Sequence, residues 1–243
     1  MDKIKILRDF LTSNFHNIQY DGSGGIGVEF PNFEIFPRDF LRFARIELNS
    51  ITSHDINNSI HIINCVSHLK RALDCQFDLF LYQINLFNFS KSNNLRFNHK
   101  LDFLRNSGII ESRSMSRLNQ LRNRMEHEYK VPIIQDLESY YDLVSASISV
   151  IESATANITG HNKLWLVSTD NSFDSLTFKY NFEETPNISI NITFSDATEE
   201  INIKVTPNER DVFAYYLRAF LLMASLDFRR ENFILEELQF NFN

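Results

Sequence analysis

Between residues 118 and 129 the chain reads LNQLRNRMEHEY, which brings Arg122, Asn123, His127 and Tyr129 within eight positions of one another. These side-chain types suit a phosphodiester. An arginine presents a permanently charged planar fork to the non-bridging oxygens of a phosphate. An imidazole can take up and release a proton near neutral pH. Cleaving RNA without a metal requires a deprotonated 2′-hydroxyl, a protonated leaving 5′-oxygen and stabilisation of the charge that develops between them. His127 is the candidate acid or base and Arg122 the candidate phosphate ligand. Asn123 can hold a phosphate oxygen or orient the imidazole, and Tyr129 can stack on a base or donate to phosphate. The expected products are a 2′,3′-cyclic phosphate and a 5′-hydroxyl, with DNA resistant for want of the 2′-hydroxyl. The same residues also fit a solvated helix face. There Arg122 and Glu126, four apart, form a surface pair worth about 0.2–0.5 kcal/mol, and a histidine near the helix C-terminus suits the dipole.

Helical geometry constrains the chemical reading. At about 100° per residue, Leu118, Leu121 and Met125 share one face and point into a core. Asn123 and His127 lie together on another face, and Arg113, Arg117, Gln120 and Arg124 cluster on a third. Arg122 is about 140° from His127, so one helix cannot aim both at one phosphate. A second copy packed across a two-fold axis can, with each protomer contributing to a shared cleft. Charge is distributed to match. The chain has net charge −7, yet residues 95–130 hold eight basic and four acidic side chains, whereas residues 131–243 hold seven and seventeen. Local positive charge is what a polyanion needs, and Arg113, Arg117 and Arg124 are expected to guide RNA to the cleft.

The elements around this helix predict an α+β fold. At 243 residues and 43% hydrophobic, the chain can bury a substantial core. A short helix over Ile4 to Phe15 leads to a Gly-rich turn, GSGGIG, and an extended piece, IGVEFPNFEIF. The G-x-G-x-x-G match is weak, because a dinucleotide loop opens a helix and here Pro31 and Pro37 follow. RDFLRFARIELN reads as a helix. Ile56, Ile60, Ile63, Leu69, Leu73, Phe77, Phe80, Ile84 and Phe87 then recur at threes and fours, giving one long helix. His54, His61 and His68 recur along it every seven residues, roughly 10 Å apart, too far to share a metal. Cys65 and Cys75, roughly 15 Å apart on the same helix, are expected as reduced thiols. A helix ends at Asn106 with Gly108 as its cap and Ile109–Ile110 packing back. The candidate helix follows, and Pro132 restarts the chain into a last bundle helix. KLWLVST, SLTFKYNF, NISINITF and EINIKVT then switch to period two, a four-strand meander. TPNE at 206–209 reads as a capping box that opens a terminal amphipathic helix. The expected parts are residues 1–37, an antiparallel helical bundle over 38–158, and a smaller β-meander with a helix over 159–243 that serves sensing or oligomerisation. With no apolar run near the ~20 residues of a membrane span, a soluble cytoplasmic protein is expected.

Over residues 38–155 the chain resembles the HEPN superfamily. Arg122, Asn123 and the four-residue interval to His127 are similar to its Arg-x4-His motif, and the preceding KLDFLRNSGII and long helix are similar to its element order. The resemblance implies a helical homodimer with a composite active site and no metal or other cofactor. The implied activity is that of an endoribonuclease acting as a toxin or antiviral effector. Arg-x4-His-x-Tyr further resembles toxins paired with a nucleotidyltransferase, in which a tyrosine at the position of Tyr129 accepts AMP. An antitoxin of that kind, or another defence-system protein, is the implied partner. The alternatives are a non-catalytic HEPN-like module for dimerisation or for binding nucleotide or RNA within a larger complex, and an adaptor whose β part binds protein.

Overall fold

The structure, a computed structural model, describes residues 2–51, 58–111, 113–131, 134–194 and 200–240; the side chains of residues 113, 114, 122, 126 and 134–136 lie outside that description. The helices are α1 (Lys3–Asn14), α2 (Pro37–Asn49), α3 (Asn58–Gln83), α4 (Phe87–Ser92), α5 (Phe97–Asn106), α6 (Arg113–Glu128), α7 (Ile134–Gly160), α8 (Arg210–Met223) and α9 (Glu231–Leu238). The strands are β1 (Ile18–Gly24), β2 (Lys163–Ser168), β3 (Ser175–Asn181), β4 (Asn187–Thr193) and β5 (Glu200–Val205), in one antiparallel sheet of order β1-β2-β3-β4-β5. The fold class is α+β.

Local sequence explains several helix boundaries. Asp2 caps α1 by accepting from the Lys5 N–H at 3.1 Å. Pro37 occupies the first turn of α2, where a missing N–H costs nothing, and the Asp39 carboxylate accepts from the Phe36 N–H at 3.1 Å. The α5 helix stops at a left-handed Gly108 (φ 69°), and the Ile109 N–H reaches back to the Leu104 carbonyl at 3.0 Å.

The 26-residue α3 contains neither Pro nor Gly, and it buries Ile62, Cys65, Val66, Leu69, Leu73, Phe77 and Phe80. Two residues assigned to that stripe from sequence, Ile60 and Ile63, instead face outward at 55% and 39% exposure. The neighbouring Ile62 takes the inward position, so a helix with apolar residues on several sides can be read one register off. His54 and Ile56 lie outside the described residues. His61 Nδ1 meets Glu47 at 2.6 Å. The His68 ring packs beside Phe40 and Phe43, and its Nδ1 is buried without a hydrogen-bond partner among the described residues. Both cysteines are free thiols. Burial is the main reason that each is pushed up to about 11.

Two further expectations are corrected. The extended run of the N-terminal segment lies earlier than residues 26–36: it is β1, which pairs with β2 from Ile18↔Ser168 to Gly24↔Lys163. The apolar alternation of residues 26–36 is interrupted by Pro31, which cannot donate to a ladder. The sheet therefore has five strands where the local pattern indicated four. The TPNE capping box also does not form. The α8 helix begins at Arg210, and the Glu209 carboxylate binds Lys3 Nζ at 2.7 Å, a partner 206 residues away in sequence.

The inner sheet face buries Leu164, Leu166, Leu176, Phe178, Tyr180, Ile188, Ile190 and Ile192, with α8 packed against β4 and β5. Leu7 and Leu11 of α1 are buried where that helix packs on α8 and α9. Gly25 ties the end of β1 to the end of α7: the Ile26 N–H donates to the Thr159 carbonyl at 2.7 Å, and a Cβ at Gly25 would stand 2.4 Å from the Gly160 oxygen. On α8, Arg218 is only 5% exposed. Its guanidinium donates to the Arg105 and Asn106 carbonyls at 2.9 and 3.0 Å and pairs with Glu237 on α9.

Candidate functional site

The inner side of α6 is apolar and fully used. Met115, Leu118, Leu121 and Met125 are buried, at spacings of three and four, as α6 packs on α3 and α7. Ser147 of α7 lies 4.0 Å from the Met115 sulfur, and Asn119 donates to Asn98 at the start of α5 at 3.4 Å. These contacts fix the helix in rotation, and rotation decides which side chains face water.

Arg117, Gln120, Asn123, Arg124 and His127 are all exposed. Asn123 and His127 are one turn apart, roughly 6 Å along the axis, on the solvent side. His127 makes no hydrogen bond or ion pair with another described residue. Arg117 lies about two turns before Arg124 on the adjoining side of the helix, so Arg124 stands beside the Asn–His pair and Arg117 roughly 9 Å before Asn123 along the axis. The backbone of Arg122 is helical, directly after the buried Leu121. Its side chain, like that of Arg113, lies outside the described residues. The structure thus brings Asn123, Arg124 and His127 together on one exposed surface.

The sequence from Glu111 to Tyr129 reads as one helix, but Tyr129 does not continue it. The last helical residue is Glu128, and Tyr129 adopts a left-handed backbone (φ 57°) with its ring 88% exposed. A bulky residue in that region carries strain of about 1–2 kcal/mol. It ends α6 where a glycine is the usual choice, and the phenol points away from the protein surface. Lys130 folds back onto Glu128 at 2.7 Å. That hydrogen bond, with Arg124 nearby, holds the Glu128 carboxyl below its ordinary value. Nothing in residues 118–129 themselves indicates this termination; proline at 132 was the only nearby cue.

Among the described residues no three or more His, Cys, Asp or Glu side chains come together as a metal-ligand set. Nor, among them, is any helix long and apolar enough to cross a membrane. No protein-family model, curated protein or solved structure matches the chain.

Proposed function

We propose that the chain is a metal-independent endoribonuclease of the HEPN type, working as a homodimer in which two α6 helices face each other across one RNA strand. The observation that carries this reading is the outer surface of α6. A helix anchored by four buried apolar side chains presents to solvent a carboxamide and, one turn on, an imidazole with no partner among the described residues, and it carries two exposed arginines on the adjoining side, in the basic segment of an acidic protein.

In the proposed reaction the 2′-oxygen attacks the adjacent phosphorus and the bond from phosphorus to the 5′-oxygen breaks. One imidazole takes the 2′-proton, and a protonated imidazole gives one to the departing 5′-oxygen; His127 from each protomer fills these roles. Arg122 holds the non-bridging oxygens as charge builds on them, and Asn123 supports the phosphate or the imidazole. Arg117 and Arg124, with Arg113 at the start of the helix, attract the strand. Tyr129, with its phenol projecting at the end of α6, is the base-stacking group and the acceptor for AMP in a toxin controlled by a nucleotidyltransferase-like antitoxin.

The test is cleavage of a generic RNA in EDTA by the wild type and by His127→Ala, with the product ends resolved. The expected result is cyclic-phosphate and 5′-hydroxyl ends that disappear in the variant. Equal cleavage by both proteins refutes the assignment of His127. A wild type that binds RNA as a folded dimer without cutting it supports a non-catalytic binding module instead.

A further inference from the structure

In an antiparallel pair, residues directly opposite one another share a face, with their Cβ atoms about 5 Å apart. The register places Lys163 of β2 opposite Lys179 of β3, Lys179 opposite Ser189 of β4, and Ser189 opposite Lys204 of β5. Residues 131–243 contain only these three lysines, and this register stands all of them in a single row across the outer face of the sheet. Like charges directly opposite destabilise a strand pair, so the row needs a reason. Counter-charge within the protein supplies little of one. Lys179 has no ion pair among the described residues. Lys204 shares Glu183 at 3.5 Å. Lys163 lays its Nζ over the indole of Trp165, 4.5 Å from the ring centroid. Glu200, an acidic side chain on the same face, is held by Asn191 and Asn202 one row away.

Trp165 heads the adjoining row, which continues through Thr177, Asn191 and Asn202. It is 36% exposed although it stands within a sheet. Two glycines of β1 border it: a Cβ at Gly22 or Gly24 would come within 3.8 or 3.5 Å of the indole. The Gly-rich stretch that resembled a phosphate loop therefore keeps the sheet low beside the ring. Between the two rows runs an open depression of about 280 Å3 whose lining includes all three lysines.

We infer that this outer sheet face binds single-stranded nucleic acid. The lysine row, roughly 14 Å long at the ordinary strand spacing, follows the phosphates. The indole stacks an unpaired base, displacing the Lys163 ammonium towards the backbone, and Thr177, Ser189 and Asn202 offer hydrogen bonds that read no fixed sequence. Charge complementarity selects this occupant: a polyanion answers a row in which, among the described residues, only Lys204 has a carboxylate partner, and an aromatic platform beside that row suits a base that is not paired. The inference stands apart from the reading of α6, which is a different element with different side chains.

Trp165 is the only tryptophan of the chain, so its emission reports on this face alone. The experiment titrates the full chain carrying His127→Ala, which removes the α6 imidazole, with oligo-uridylate, oligo-thymidylate and a short RNA duplex. Saturable quenching by the single strands and none by the duplex is expected; the two homopolymers distinguish RNA from DNA as the preferred source. The logarithm of affinity should fall with the logarithm of salt with a slope of about −2 for three lysines, and Lys179→Ala should reduce that slope by about 0.7. Read by anisotropy of labelled oligonucleotide, Trp165→Ala should weaken binding roughly 5- to 150-fold. The triple variant Lys163→Ala, Lys179→Ala, Lys204→Ala relieves a repulsion and should fold normally. Absence of quenching, or binding by the folded triple variant with unchanged affinity and slope, overturns the inference. So does loss of quenching on Arg117→Ala with Arg124→Ala while the lysine variants retain it.

Discussion

Replacing Arg218 with methionine isolates what one buried guanidinium contributes to the fold. Methionine keeps a flexible apolar stem of similar reach and removes every N–H. In the native chain that guanidinium satisfies two carbonyls at the end of α5, Arg105 O and Asn106 O, at 2.9 and 3.0 Å. Each such bond, with a charged donor, is worth about 1.5–3 kcal/mol. The ion pair with Glu237 adds little, because that carboxylate is 35% exposed and solvent screens it. Against these gains stands the cost of burying the charge, which pushes the Arg218 pKa down. The net loss expected for Arg218→Met is about 3 kcal/mol, or a fall in Tm of roughly 6–12 °C for a chain of this size. Urea unfolding followed by circular dichroism measures it, and Glu237→Gln serves as the control, losing about 1 kcal/mol or less. A loss under 1 kcal/mol for Arg218→Met, or an equal loss for Glu237→Gln, would show that the carbonyls do not depend on this side chain.

Two further perturbations follow from the packing. Gly25→Ala forces a methyl group against the Gly160 carbonyl, where backbone must move; a loss of about 1–3 kcal/mol is expected, with Gly27→Ala, which meets nothing within 4 Å, neutral by the same urea assay. His68 is kept neutral by burial and by nearby Arg71, so its pKa lies below the ordinary 6.5. The unfolded chain then binds a proton that the folded chain refuses. Stability should fall as pH drops from about 6.5 towards the folded value and level off below it. His68→Phe, in a pocket already lined by Phe40 and Phe43, should flatten that part of the profile; an unchanged profile would assign the acid sensitivity to other groups.

The sequence was most informative where structure is local. The α5 stop at Gly108, the buried Leu118–Leu121–Met125 stripe and the period-two runs of β2–β5 depend on neighbours within a few residues, and each could be read directly. Features that depend on distant partners were hidden. Glu209 has the spacing of a capping residue, yet Lys3 is the stronger partner, and only the docking of α1 reveals it. The glycines of β1 look like a loop until β2 provides a ladder. The site divides in the same way. The exposure of Asn123 and His127 follows from helical phase, whereas the left-handed turn at Tyr129 has no cue within its own stretch. The lysine row needs the register of four strands, since positions 163, 179 and 204 share nothing in sequence.

The pairing of β1 with β2 also sets a schedule for synthesis. The first strand leaves the ribosome long before its neighbour, because Ile18 must wait for Ser168. At ordinary elongation rates of about 5–20 residues per second, that wait is roughly 7–30 s. During it the nascent chain carries an unpaired strand whose glycines and polar residues, IQYDGSG, offer little apolar surface to wrong partners. The same composition that makes β1 hard to recognise as a strand thus suits a segment that emerges first and is incorporated late.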